Sequence, residues 1–236
     1  MELEKLYRHR FDDAELPNKL AIWKVLCEDF FSKFVGDSDT VLDVGAGYCE
    51  FINNIRCGRR IAVDLNPRVR QFAASGVEVI NESCMDLTSL ADESADVVFM
   101  SNFLEHLPSK QMVFDTLAES RRILRKGGRL LILQPNVRLI PGAYWDFFDH
   151  FVPLTERSLS ELLMLKGFHV QLCRASFLPY TMSFTPPTLV SSAYPLALAL
   201  YLRCSFFWPL FGKQFLVVAS CPRDAGAGPT DARSQV

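Results

Sequence analysis

Short apolar runs alternate with amphipathic segments along most of this chain, and the alternation predicts its strands and helices. Near-continuous runs of Val, Ile, Leu and Phe are typical of strands buried on both faces. The predicted strands cover residues 40–44, 60–64, 77–81, 95–101, 129–134, 168–173 and 214–220. Apolar positions three or four apart predict helices over residues 17–35, 109–125 and 155–166. Strands alternating with helices form a parallel sheet with helices on both faces, which is a doubly wound α/β fold.

The ends of two helices have recognisable signals. Lys126, Gly127 and Gly128 follow the helix at 109–125 and are expected to end it. Thr155 can cap the next helix. We expect no capping box there, because Ser158 occupies the position three residues later.

The segment between the last two predicted strands, residues 178–213, is an unusually long apolar insertion. No uninterrupted run within it reaches the eighteen or so residues that a membrane-spanning helix needs. Three interpretations remain open: a helix pair covering the last strands, a lid over an acceptor pocket, or an interfacial membrane helix through residues 186–211. The last is disfavoured because Arg203 and Lys213 are few cations for anionic lipid. The predicted organisation is a helical lid at 1–36, an α/β core at 37–177, this insertion, a final strand at 214–222 and a disordered tail at 223–236.

The stretch TVLDVGAGYCE, residues 40–50, has the pattern of a nucleoside site. A strand runs into a turn of Gly45, Ala46 and Gly47, a helix follows, and the next strand ends in Asp64. Glycines allow a ligand to approach the backbone, and an acid at the second strand end can accept hydrogen bonds from ribose hydroxyls.

The charges around this turn indicate which nucleoside fits. A dinucleotide site needs a small residue where this chain has Glu50, and Asp43 adds a second acid before the turn. Carboxylates repel a pyrophosphate but attract a sulfonium and an amino group. We therefore expect S-adenosylmethionine as the cofactor, and an NAD-dependent oxidoreductase remains an alternative.

Four motifs in order now resemble a known family: LDVGAG, AVDLNP, ADVVFMSNFLEHL and LRKGGRLLILQPN. Over roughly residues 38–173 the chain is similar to class I S-adenosylmethionine-dependent methyltransferases, and Cys49 stands where the first motif usually has its third glycine. The resemblance implies a mostly parallel seven-stranded sheet whose last strand is antiparallel. A looser similarity, through YWDFFDHFVPLTERSL, is to bacterial methyltransferases of glycan or natural-product pathways.

The resemblance also implies the cofactor-binding residues, which we expect to be Asp43, Gly45, Ala46, Gly47, Asp64, Leu65, Met85, Asp86, Asn102, Phe103 and Leu104. The first four would hold the methionine part, Asp64 the ribose, and Leu65 the adenine face. Asp86 would accept from the adenine amino group beside the backbone of Met85, or would serve only as a turn cap. The backbone of residues 102–104 would face the amino group and the methyl, although Phe103 is equally a candidate for a structural role.

Two histidines are candidates for the general base of the transfer, because a near-neutral pKa suits proton removal. They are His106, after the fourth strand, and His150, within AspPheAspHis; for each, a capping or packing role is the alternative. Asp149 could orient a base or bind an acceptor hydroxyl. The aromatic residues nearby could stack on an acceptor or fill space beneath the insertion: Tyr144, Trp145, Phe147 and Phe148.

Composition limits the partners and the compartment. The net charge of the 236 residues is −2, with no basic block, so a nucleic-acid substrate is not expected. Seven cysteines without a C-x-x-C pair predict reduced thiols in a cytoplasmic protein and no metal site. The charged N-terminus, MELEKLYRHRFDD, does not have the pattern of a secretory signal.

The predicted function is therefore methyl transfer from S-adenosylmethionine to an oxygen or nitrogen of a small molecule. The expected acceptors are a sugar, a lipid-linked glycan precursor or a secondary metabolite, with a quinone-like apolar acceptor as the alternative. A non-catalytic nucleoside-binding protein on the same fold is a further alternative.

Overall fold

The strands assemble into one sheet whose order differs from the order of the sequence. The computed structural model describes residues 16–180 and 194–223. Its strands are β1 (Thr40–Val44), β2 (Arg59–Val63), β3 (Val77–Ile80), β4 (Ala95–Ser101), β5 (Leu124–Pro135), β6 (His169–Leu178) and β7 (Gln214–Ser220). Their order across the sheet is β3-β2-β1-β4-β5-β7-β6. The first five are parallel and β7 is antiparallel to both neighbours, which confirms the predicted doubly wound, mostly parallel sheet.

Helices cover both faces of this sheet. They are α1 (Leu16–Asp29), α2 (Glu50–Asn54), α3 (Val69–Phe72), α4 (Lys110–Ile123), α5 (Glu156–Leu165), α6 (Tyr194–Arg203) and α7 (Trp208–Phe211), with short 3-10 helices at Phe31–Lys33, Leu104–His106, Ala143–Asp146 and Ser205–Phe207. Side chains of a strand alternate between the two faces, so Leu42 packs in the apolar layer of α4 and α5, whereas Val41 packs in the layer of α1, α2, α6 and α7.

The prediction that Lys126–Gly128 ends a helix was wrong. α4 ends at Ile123, and Leu124 already pairs with Ala95 of β4. Gly127 has φ +76°, and its N–H donates to the carbonyl of Cys221 at 3.1 Å. The glycines therefore form an irregularity within β5, where the strand needs a left-handed residue to keep its contact with the end of β7.

The prediction of no capping box at α5 was also wrong. The Thr155 hydroxyl accepts from the N–H of Ser158 at 3.1 Å, and the Ser158 hydroxyl accepts from the N–H of Thr155 at 3.0 Å. A serine hydroxyl is thus sufficient for the reciprocal bond that Glu or Gln usually makes.

The described part of the insertion, α6 and α7, packs its inner face against α1 and β6. Leu198, Leu202 and Trp208 are buried, and the Trp208 ring lies 5.0 Å from the Phe177 ring. This packing agrees with the helix-pair interpretation for the inner face. The outer face exposes six large apolar side chains: Leu196, Leu200, Phe206, Phe207, Leu210 and Phe211.

Parts of three predicted segments lie outside the described residues. These are residues 1–15 of the lid, 181–193 of the insertion and 224–236 of the tail. In the lid, α1 is packed through the buried Leu26 and Phe30. Across residues 16–180 and 194–223, the helices are all too short or too polar to cross a bilayer.

Candidate functional site

A cavity of about 320 Å³ lies beyond the carboxyl ends of β1, β4 and β5. This size is within the range of small-molecule sites, and the position is where ligands bind in open α/β sheets. The lining comes from α1, the turn after β1, the ends of β4 and β5, and the loop before α5. It includes Lys19, Trp23, Asp43, Gly45, Ala46, Gly47, Glu50, Ser101, Asn102, Glu105, His106, Phe147, Asp149, His150 and Tyr180.

The turn after β1 is held tightly against the end of β2. The N–H groups of Gly45 and Ala46 both donate to the carbonyl of Val63, at 2.9 and 3.1 Å. Gly45 has φ +75°, and a Cβ there would overlap the Phe103 ring. The backbone at Gly45 is therefore closed on one side by Phe103 and open to the cavity on the other.

Cys49 takes the place of the third glycine with a backbone that glycine usually adopts. Its φ is +59°, its side chain is buried, and its Sγ lies 3.9 Å from the carbonyl of Val69. Burial, together with the negative charge of nearby Asp43, raises the pKa of this thiol to about 12. The thiol is thus a neutral packing group between α2 and α3.

The buried Asp43 and the half-buried Glu50 face the cavity together. Burial raises the pKa of Asp43 well above its usual value, and the nearby Glu50 raises it further, while a hydrogen bond from the Ile52 backbone opposes the shift. Burial likewise raises the pKa of Glu50, against the nearby charge of Lys19. A cationic ligand would relieve this crowding of negative charge, whereas an anionic one would increase it.

Asp64 links the glycine turn to the end of β2. One carboxylate oxygen accepts from the N–H of Gly47 at 2.9 Å and the other from the N–H of Asn66 at 2.8 Å. Burial raises the pKa of this carboxyl, and the two N–H groups oppose that rise. Since each carboxylate oxygen can accept a second bond, the residue keeps capacity for two ligand hydroxyls. It lies beside the main cavity, in a small recess with Arg68 and Phe72.

The other expected cofactor residues are placed differently. Asn102 lines the cavity in a left-handed conformation, with φ +46°. The side chain of Leu104 is fully buried in the apolar layer of α4 and α5, so only its backbone could reach a ligand. Leu65 is 64% exposed next to Asp64, and Met85 and Asp86 form a turn after β3, beyond the cavity lining.

Both candidate bases come together at one end of the cavity. The His106 and His150 rings are 4.9 Å apart. His106 Nδ1 lies 3.1 Å from Asp149 Oδ2 and 3.1 Å from the Asp149 carbonyl oxygen. His150 Nδ1 lies 2.8 Å from the carbonyl of Tyr144. Asp149 therefore contacts His106, although the sequence places it next to His150.

Glu105 is a site residue that the sequence analysis did not identify. Its side chain is buried, the Gln134 side-chain amide donates to it, and the Gln134 oxygen accepts from the N–H groups of Phe103 and Leu104. Burial raises its pKa to about 7, against the effect of His106. The available signal was an acid and a glutamine at the ends of adjacent buried strands, β4 and β5.

This cluster also offers ligand atoms for a cation. One atom from each of Glu105, His106 and His150 lies within 4.8 Å of the other two. Such a donor set suits Zn²⁺ when the atoms move closer. Chelation is for this reason a control in the experiments below.

Comparison with known proteins gives a consistent result. Residues 42–132 match the family model described as a methyltransferase domain. The protein named "Probable methyltransferase ltbC" of Aspergillus luteorubrus is 29% identical over 118 residues, which cover 43% of this chain and 41% of that protein. The chain thus spans less than half the length of this curated relative.

Solved structures share the fold. An S-adenosylmethionine-dependent methyltransferase from Archaeoglobus fulgidus has a TM-score of 0.62 at 22% identity, over 89% of this chain and 100% of that one. A geranyl diphosphate methyltransferase, solved in complex with S-adenosylmethionine, has a TM-score of 0.58 at 16% identity, over 85% and 84%. At these sequence identities the similarity shows a shared fold only.

Proposed function

We propose that this chain is a class I S-adenosylmethionine-dependent methyltransferase and that it transfers the methyl group of this cofactor to an oxygen or nitrogen of a small molecule. The observation that carries the proposal is the composition of one cavity. Two acids, Asp43 and Glu50, and a glycine turn lie at one end, and a histidine pair with aromatic walls lies at the other.

The cofactor is proposed to lie along the turn after β1. Its amino group and sulfonium would be drawn to Asp43 and Glu50, because these two acids lie close enough for the charge of Glu50 to raise the pKa of Asp43. Its ribose would bond Asp64, and the backbone at Asn102 would face the transferred methyl. Leu65, Met85 and Asp86 would enclose the adenine.

The reaction needs mainly close approach and alignment. A sulfonium already makes its methyl carbon electrophilic, so an in-line displacement follows once the acceptor atom is held behind that carbon. His106 and His150 are proposed to contact the acceptor. Trp23, Phe147 and Tyr180 also line the cavity, and their rings suit a sugar, a metabolite ring or a quinone-like acceptor.

Radiolabelled S-adenosylmethionine tests this function. The purified protein is incubated with the labelled cofactor and a panel of sugars, phenols, amines and quinols, with and without EDTA. Label in one acceptor supports the proposal. Binding of S-adenosylhomocysteine without transfer to any acceptor would favour a non-catalytic nucleoside-binding protein, and binding of NADH alone would favour an oxidoreductase.

We also propose that the exposed face of α6 and α7 touches a lipid surface. Its large apolar side chains are 41–75% exposed, which suits shallow insertion into a membrane interface. Co-sedimentation with phosphatidylcholine–phosphatidylglycerol vesicles measures this contact. The double change Phe206→Ser with Leu210→Ser should abolish sedimentation, whereas Leu165→Ser, on the distant α5, should leave it unchanged. Equal sedimentation of all three proteins would contradict the proposal.

A further inference from the structure

We infer that His106 and Asp149 form the proton-accepting pair of the transfer, with His106 against the acceptor, Asp149 as its positioning residue, and a hydroxyl as the group that is methylated. This inference rests on the proposed function. It follows from a contact between two loops that are 43 residues apart in sequence.

The contact fixes which nitrogen of His106 carries the proton. Nδ1 faces two acceptors of Asp149, the carboxylate oxygen and the backbone carbonyl, each at 3.1 Å. A nitrogen between two acceptors must be the N–H nitrogen, because a lone pair there would be repelled by both. Nε2 is therefore the basic nitrogen of the neutral ring, and 26% of the His106 side chain remains exposed in the cavity.

The loops are locked in this arrangement by backbone bonds. The N–H groups of Phe151 and Val152 both donate to the carbonyl of Glu105, at 2.8 and 3.2 Å. This pairing ties the residues after Asp149 to the residue before His106. The carboxylate and the imidazole consequently keep their alignment without a ligand, as a preorganised site requires.

The charges around His106 favour its protonated form. Glu105 Oε1 is 4.0 Å from Nε2 and Asp149 Oδ2 is 3.1 Å from Nδ1, so a carboxylate faces each nitrogen of the ring. The other titratable groups facing it are His150, at 4.9 Å between rings, and Tyr180 across the cavity. The Nδ1 atom of His150 lies 2.8 Å from the backbone carbonyl oxygen of Tyr144.

A hydroxyl is the acceptor that needs this pair. As the acceptor oxygen bonds to the methyl carbon, the carbon–sulfur bond breaks and its electron pair stays on sulfur, giving neutral S-adenosylhomocysteine. The hydroxyl proton passes to His106 Nε2, and Asp149 balances the resulting imidazolium. A neutral amine, by contrast, has a lone pair available before it loses a proton, so it gains little from a base during the transfer.

Nitrogen-15 NMR of the histidine side chains tests the pair without any acceptor. Spectra of the wild type, Asp149→Asn and the exposed control Asp146→Asn are recorded at a series of pH values in the presence of S-adenosylhomocysteine and EDTA. The spectrum of His106→Gln assigns the His106 signals. We expect neutral His106 in the Nδ1–H form in the wild type and in Asp146→Asn, and a smaller Nδ1–H fraction in Asp149→Asn. The His169 signal on β6 should be unchanged in every variant and reports that the fold is intact.

A wild-type His106 in the Nε2–H form, or a tautomer ratio in Asp149→Asn equal to that of the wild type, would overturn the pair. The chemical use of the pair is tested with cofactor carrying a carbon-13 methyl and the panel above. An O-methyl product whose formation falls about 10²–10⁴-fold in His106→Gln supports it. An N-methyl product would overturn the assignment of a hydroxyl as the acceptor. Absence of any product would contradict the proposed function instead, and the NMR result would still show whether His106 and Asp149 form the pair.

Discussion

Changing Asp43 to Asn should move protein stability and cofactor affinity in opposite directions. The buried carboxyl group has a raised pKa because of burial and of nearby Glu50. A group whose pKa is raised by folding contributes stability below its unfolded pKa and loses it as pH rises through the folded pKa. At pH 8, therefore, the cofactor-free wild type is strained at this position, and the neutral, isosteric variant should unfold at an equal or higher temperature.

The same change should weaken binding of S-adenosylmethionine. One charge-assisted hydrogen bond to the cofactor amino group contributes about 1.5–3 kcal/mol, which corresponds to roughly 10- to 150-fold in Kd. Calorimetric titration and thermal unfolding at pH 8 measure both effects. The control is Asp37→Asn, which removes an exposed ion pair with Arg56 and should change neither quantity appreciably. Wild-type affinity in Asp43→Asn would refute the role of this carboxylate.

Three further changes test the turn, the helix cap and the buried acid. Gly45→Ala should lower the free energy of unfolding by more than about 1 kcal/mol and abolish cofactor binding, because φ is positive and the Phe103 ring occupies the space of the added methyl group. In the control Gly142→Ala the added methyl group has no heavy atom within 4 Å, so stability and cofactor binding should both be unchanged. Thr155→Ala should cost about 1 kcal/mol in a denaturant titration without changing cofactor affinity, since only the cap is lost. Wild-type stability should fall by about 3 kcal/mol as pH rises from 4.5 to beyond 7, because burial raises the pKa of Glu105 to about 7. In Glu105→Gln this fall in stability between pH 4.5 and 7 should be absent. A pH–stability curve equal to that of the wild type would contradict the raised pKa of Glu105.

The order of strands and helices could be read from the sequence because each signal is local. Buried parallel strands carry continuous apolar runs, and the nearest glycine or acid marks where they end. The predicted end of α4 was wrong because the same local signal, a pair of glycines, occurs both at helix ends and at irregularities within strands. Gly127 and Gly128 resemble a helix stop, yet their backbone groups bond Cys221, which directly follows the last strand, and that contact spans nearly a hundred residues.

The sequence predicted which strand ends and loops meet at the site, but not which of their side chains contact each other. His106 and His150 follow strands whose ends meet at one edge of the sheet, so their proximity could be anticipated from the fold. The pairing of Asp149 with His106 could not, because successive side chains of an irregular loop point in different directions. That pairing depends on how the loop after β5 docks on the carbonyl of Glu105.

The central claim is that the cavity beyond β1 and β4 binds S-adenosylmethionine. Calorimetric titration of the wild-type protein with S-adenosylhomocysteine, S-adenosylmethionine and NADH in parallel tests it most directly. We predict one site for each adenosyl ligand, tighter for the cationic S-adenosylmethionine as pH rises and Asp43 ionises, and no heat of binding with NADH. Binding of NADH, or no binding of either adenosyl ligand at millimolar concentration, would contradict the account.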